Sequence, residues 1–243
     1  MSNMRTNKAD PRVIVAMDLA DEKALYHLID RLEPAQCKLK VGKELFTALG
    51  PRIVTVMVKR GFEVFLDLKY HDIPNTVAKA CHAAADLGVW MINIHAQGGR
   101  RMMEAAAEAL ARRNNKPLLI AVTVLTSLTQ EDLRETGIPG SVEDYAVKLA
   151  GLARQSGLDG IVSSALEITR MRQHYGHQFI LVTPGIRPSG AVLDDQRRIL
   201  TPVQAVQAGA DYLVIGRPIT QAEDPIRQLL TINSELISIP RTI

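Results

Sequence analysis

Eight short apolar runs, separated by stretches with helical spacing, constrain the fold more than any other feature of this chain. They are Val13–Asp18, Lys38–Val41, Val64–Lys69, Met91–Ala96, Leu118–Val124, Gly160–Ser163, Phe179–Thr183 and Tyr212–Gly216. Their apolar character is nearly continuous, as expected for strands of a parallel sheet covered on both faces. The intervening segments repeat apolar residues every three or four positions, as in Ala24, Leu25, Leu28, Ile29 and Leu32, or Val77, Ala80, Cys81, Ala84 and Leu87. Helix starts are marked by Ser164 with Glu167, by Thr201 with Gln204, and by Asp224-Pro225. Gly61, Gly88, Gly157 and Gly209 fall just before strands, where helices commonly end in a left-handed residue. Eight strand–helix pairs predict an α/β fold, the (βα)8 TIM barrel. A doubly wound open sheet is the alternative, but no Gly-rich dinucleotide fingerprint follows the first strand.

Length agrees with the barrel. Shared among eight units, 243 residues leave about 30 each, with no space for a second domain. The expected organisation is a flexible leader at 1–10 and a single barrel domain at 11–243. Hydrophobic residues make up 47% of the chain, which excludes global disorder, and aromatics only 4%, which leaves the core to Leu, Ile, Val and Ala. A net charge of +3 is too small to mark a general partner of nucleic acid. Cys37 and Cys81 are far apart and form no C-x-x-C pair, so no zinc site, dithiol motif or disulfide framework is expected. The polar leader lacks the apolar centre of a signal peptide. The most apolar stretch, Leu118–Leu125, is eight residues long, well short of the roughly 18 that a membrane span needs. A cytoplasmic protein with no membrane partner is expected.

In such a barrel, chemistry gathers at the C-terminal ends of the strands. There the chain places Asp18, Lys40, Asp67, Lys69, Asp72, Asn93, His95, Thr123 and Thr126. Taken singly, each is as easily a solvated loop residue, a helix cap or a structural histidine. Asp72, just before Pro74, could simply start a helix. The concentration of charge on consecutive strand ends is what points to a site. Asp67 and Lys69 are two apart and should face the same side of the strand. A lysine flanked by carboxylates keeps its proton, which makes it a poor Schiff-base nucleophile but a good electrostatic stabiliser and proton donor to a carbanion. A cationic side chain between Asp67 and Asp72 also argues against a metal there. After the seventh and eighth runs, Gly185, Arg187, Gln196, Gly216 and Arg217 form a set suited to phosphate. Finally, Thr126 to Ser141 is an unusually long connection with the character of a lid.

The run Asp67-Leu-Lys-Tyr-His-Asp-Ile-Pro-Asn-Thr76 resembles the D-x-K-x-x-D-I-P-N-T motif of the orotidine 5′-phosphate decarboxylase family. Leu39-Lys-Val-Gly42, Val122-Thr-Val-Leu-Thr126, Thr183-Pro-Gly-Ile-Arg-Pro188, Asp195-Gln-Arg-Arg198 and Val214-Ile-Gly-Arg217 are similar to that family's bacterial members. The resemblance runs from about Val13 to Pro225. It implies a homodimeric barrel with shared active sites and neither cofactor nor metal, acting on orotidine 5′-phosphate in UMP synthesis. By position, Lys69 would be the proton donor to C6, with Lys40, Asp67 and Asp72 in its charge network. Asp72 and Thr76 would enter the neighbouring subunit's site. Asp18 and Lys40 would bind ribose hydroxyls and Thr126 the pyrimidine edge, while Arg187, Gln196, Gly216 and Arg217 would hold phosphate. Magnesium-dependent sugar-phosphate enzymes of the same superfamily share D-x-K-x-x-D, but the continuation Ile73-Pro74-Asn75-Thr76 favours the orotidine enzyme.

Overall fold

The structure is a computed structural model that describes residues 10–19, 21–188 and 200–240. Almost all of the expected leader, and Gln196, lie outside the described residues. All eight apolar runs form strands: β1 Val13–Ala16, β2 Lys38–Gly42, β3 Val64–Tyr70, β4 Met91–His95, β5 Leu118–Val122, β6 Gly160–Val162, β7 Ile180–Thr183 and β8 Tyr212–Ile215. Each strand pairs in parallel with the next, and β8 returns to β1 through Val13 opposite Leu213, so the sheet closes into a TIM barrel.

Strand periodicity divides the side chains between two cores. Val13, Val15, Leu39, Val41, Leu66, Ile92 and Ile94 point outward and pack beneath the helices. Ile14, Ala16, Phe65, Met91, Ile120, Val182, Tyr212 and Val214 point inward and fill the barrel. Fully burying one such aliphatic side chain is worth about 1.5–3 kcal/mol, so both layers hold the strands in register. The inward ranks continue into polar residues at each end. At the N-terminal end, Lys38 is 1% exposed, ion-paired with Glu63 and with Asp10 at 2.7 Å, and its Nζ lies 4.5 Å from the centre of the Trp90 ring. At the C-terminal end the same ranks deliver Lys40, Asp67 and Asn93, all buried.

The punctuation in the sequence appears as caps. Thr201 and Gln204 form a reciprocal capping box at the helix Pro202–Ala208, and that helix ends at Gly209 with φ 112°. At Ser164 only half of the expected box forms, over a single 3-10 turn, Ala165–Glu167: the Glu167 carboxylate accepts from the Ser164 N–H at 3.0 Å. One expectation needs correction. The connection Thr126–Ser141 is not irregular throughout but contains the helix Gln130–Glu135. Thr129 caps it, accepting from the Asp132 N–H while the Asp132 carboxylate accepts from the Thr129 N–H, and Leu133 is buried against the core. Both cysteines are buried and unpaired, and burial pushes each thiol up to about 12, which leaves them chemically inert. No helix among the described residues is long and apolar enough to cross a membrane.

Candidate active site

The inward-facing ends of β1, β2 and β3 assemble a row of alternating charge. Lys40 Nζ donates to Asp18 Oδ1 at 3.1 Å and lies 3.4 Å from Asp67 Oδ2. The other oxygen of Asp67 accepts from Lys69 Nζ at 2.6 Å. Lys40 and Asp67 are each 8% exposed, so the inner pair interacts with little screening, whereas the Asp18 side chain is 52% exposed at the mouth. Gly42 leaves room for the outer pair, Lys40 with Asp18. A Cβ there would sit 3.0 Å from Lys40 Nζ and 3.1 Å from Asp18 Oδ1.

Lys69 reaches Asp67 by a route that simple strand alternation does not describe. Leu66 pairs with Ile92 and Tyr70 with Ile94, so three residues of β3 stand opposite the single Asn93. Within this bulge Lys69 adopts φ 53°, the one positive φ at a non-glycine residue among the described residues. That conformation costs roughly 1–2 kcal/mol in an L-residue and persists only where surrounding contacts impose it. Its backbone N–H donates to Asn93 Oδ1 at 2.8 Å. Asn93 Nδ2 in turn donates to Asp67 Oδ1 at 2.6 Å.

Across the mouth, the ends of β7 and β8 form the far wall of a cavity of about 330 Å³. Asp18 and Lys40 line one side of it, and Gly185, Arg187, Gly216 and Arg217 the other. Its size is that of a small-molecule site. The Arg187 N–H donates to the Leu200 carbonyl at 3.1 Å, and an isolated bridge joins Ile186 to Leu200, which fixes the strand end that carries this arginine. Thr126 is half-buried at the start of the capped segment after β5.

Asp72 and Thr76 stand apart from this group. Both are exposed, and among the described residues Asp72 Oδ1 accepts only from the adjacent Ile73 N–H, at 2.6 Å. Among the described residues Asp72 makes no ion pair with Lys69 of its own chain. Nor does it cap the following helix, Pro74–Asp86, whose N-cap is Ile73. His95, at the end of β4, is not the satisfied histidine that a purely structural role would give. Its Nδ1 is buried with no hydrogen-bond partner among the described residues, and its ring centre is 5.5 Å from that of His71. Burial, helped by His71, Lys43 and Lys69 nearby, pulls its pKa down to about 4, so the ring is neutral at physiological pH.

In the sequence Asn93 reads only as a polar strand end and Gly42 only as part of a family motif. For Asn93, its position two residues after inward-facing Met91 was the available signal. For Gly42, the close approach of three chain segments has no local signal.

Comparison with known proteins decides the family. The model of the orotidine 5′-phosphate decarboxylase / HUMPS family matches residues 11–232. The chain belongs to this family. It is similar to a protein of Sodalis glossinidius described as orotidine 5′-phosphate decarboxylase, at 58% identity over 97% of this chain and 94% of the relative. A protein of Saccharophagus degradans with the same description is 54% identical, over 95% of this chain and 97% of that one. Among solved structures, the orotidine 5′-phosphate decarboxylase of Lactobacillus acidophilus superposes with a TM-score of 0.84 at 36% identity, covering 94% of this chain and all of the other. The family's barrel and the alternating charges at its mouth thus occur together in this chain.

Proposed function

We propose that this protein decarboxylates orotidine 5′-phosphate to UMP, the last step of de novo pyrimidine synthesis. It acts in the cytoplasm as a homodimer with shared sites, each chain folding as one unit over 11–243, without metal or cofactor. The observation that carries this reading is the row Asp18–Lys40–Asp67–Lys69, whose Asp18–Lys40 end lines one cavity with Arg187 and Arg217. Membership of the family and 54–58% identity to relatives described as decarboxylases support it.

The chemistry suits these residues. When CO2 leaves C6, the electron pair of the broken bond remains in the ring plane, where the π system cannot delocalise it. A preorganised cation beside C6 is then the stabiliser, and the Lys69 ammonium supplies it. Lys69 transfers its proton to C6, the new C–H bond completes UMP, and solvent returns a proton to the amine. Asp67 holds Lys69 and repels the substrate carboxylate. Arg187, Gln196, Gly216 and Arg217 bind the phosphate, and binding there contributes positioning at a distance from the reacting carbon. Asp18 and Lys40 take the ribose hydroxyls, and Thr126 the pyrimidine edge. The segment Thr126–Ser141 closes over the bound substrate together with the chain around Arg187.

Purified protein incubated with orotidine 5′-phosphate should consume the orotate absorbance and yield UMP, with full activity in excess EDTA. Failure to form UMP would exclude the reading, and loss of activity in EDTA would favour the magnesium-dependent members of the superfamily. Lys69→Ala should lower turnover by about 10⁴-fold or more while UMP still binds. Near-normal decarboxylation by that variant would remove Lys69 from the role of donor.

A further inference from the structure

Where β3 bulges, Asn93 is the one residue of β4 standing opposite three of β3, Asp67 to Lys69, two of which are charged. It is completely buried, and both ends of its amide are used on that segment. We infer that Asn93 is a positioning residue for the reaction: by bridging the Lys69 backbone N–H and the Asp67 carboxylate, it holds Lys69 in the left-handed conformation that aims its ammonium into the site. This rests on the proposed role of Lys69 as proton donor.

The geometry requires this residue type. The Lys69 N–H needs an acceptor, and Asp67 Oδ1 needs a donor from the same direction. A primary amide supplies one of each from a single planar group, and the two partners leave only one choice of which end is oxygen. A carboxylate there would accept from Lys69 but repel Asp67. An aliphatic residue would leave a buried backbone N–H and a buried carboxylate short of a partner. Asn93 also sets the rotation of Asp67. With Oδ1 held by Asn93 and Lys69, Oδ2 is turned toward Lys40. One buried side chain therefore fixes both the donor lysine and the carboxylate that carries its charge partner. Its own hydrogen bonds go to neither phosphate- nor ribose-binding groups, so its loss should be felt mainly in the chemical step rather than in binding.

The test is Asn93→Ala beside Lys69→Ala in the full-length protein, with Asn93→Asp as a second variant of nearly the same size. Steady-state kinetics give kcat and KM, calorimetric titration with UMP reports binding, and thermal melting reports folding. We expect kcat of Asn93→Ala to fall about 10²-fold, the scale of a misplaced reacting group, with UMP affinity within about threefold of the parent. Asn93→Asp should show the same split, because it keeps one hydrogen bond and loses the other. In the Lys69→Ala background the Asn93 substitution should change the residual rate less than threefold, since no donor remains to be aimed. A kcat within fivefold of the parent in folded Asn93→Ala, or in Asn93→Asp should the alanine variant not fold, would overturn the inference. So would parallel loss of kcat and UMP affinity, or an undiminished effect in the Lys69→Ala background. Near-normal turnover of Lys69→Ala itself would instead defeat the reading of Lys69, and the paired measurements keep the two failures apart.

Discussion

The ion pairs at the mouth of the barrel depend on one hydrogen atom where any other residue has a side chain. Gly42 takes an ordinary extended φ of −89°, so alanine would suffer no backbone strain there. What alanine would do is press on Lys40 Nζ and Asp18 Oδ1 from about 3 Å. Both atoms end flexible side chains and can retreat, so Gly42→Ala should melt within a few degrees of the parent. The displaced pair should raise KM about tenfold, about 1.4 kcal/mol of lost binding. An unchanged KM would show that Lys40 and Asp18 do not act as a fixed pair. His95 gives a second prediction on this scale. Its folded pKa, about 4, lies below the ordinary 6.5, so as pH falls the unfolded chain takes the proton first. Its contribution to stability is intact above about pH 6.5 and declines down to about pH 4. Urea unfolding at pH 7 and pH 5 should therefore show about 1 kcal/mol less loss in His95→Gln than in the parent. Equal losses would place the acid sensitivity elsewhere. At this scale the sequence reveals which residues gather, because Asp18, Lys40 and Asp67 follow inward-facing ranks that periodicity exposes. It does not reveal the bend at Lys69, since a positive φ in a non-glycine residue is imposed by Asn93 from another strand.

Among elements, the strands were legible and the small helix after β5 was not. Each strand is a run of β-branched and aliphatic residues buried on both sides, and the observed ends differ from the expected ones by two residues or fewer. The helix Gln130–Glu135 has six residues and one buried apolar side chain, too few to display a period. Its only mark in the sequence is Thr129 with Asp132, a capping box in which aspartate takes the place usually held by Glu or Gln. The same box should control how well the segment is ordered. Thr129→Ala removes the side-chain acceptor for the Asp132 N–H, at a cost of about 1 kcal/mol, or about fivefold in the local folding equilibrium. Amide hydrogen exchange in 130–135 should speed up by about that factor, while the barrel strands keep their protection. If the segment closes over substrate as proposed, kcat/KM should fall by a similar factor. Faster exchange with unchanged kcat/KM would separate this helix from closure.

At the scale of the whole molecule, closure of the barrel was readable from the count of strand–helix units, but a site divided between copies cannot be read within one chain. Asp72 and Ile73 lie just beyond the charged strand end, and yet Asp72 is exposed with no ion pair to Lys69 among the described residues and Ile73 is 67% exposed. A large aliphatic residue beside an exposed carboxylate has the composition of a surface that another copy covers. In a two-fold dimer, each site would take Lys69 from one chain and Asp72 from the other. A hybrid of one Lys69→Ala chain with one Asp72→Asn chain then contains one site with both defects and one with neither. Each variant alone should be nearly inactive, and their random pairing should restore about a quarter of parental activity, because half the dimers are hybrids with one intact site. Co-expression with two different affinity tags isolates those hybrids, in which about half the parental activity per dimer is expected. If Asp72 served the Lys69 of its own chain, each subunit of the hybrid would carry one defective site, and purified hybrids would be as inactive as the parent variants.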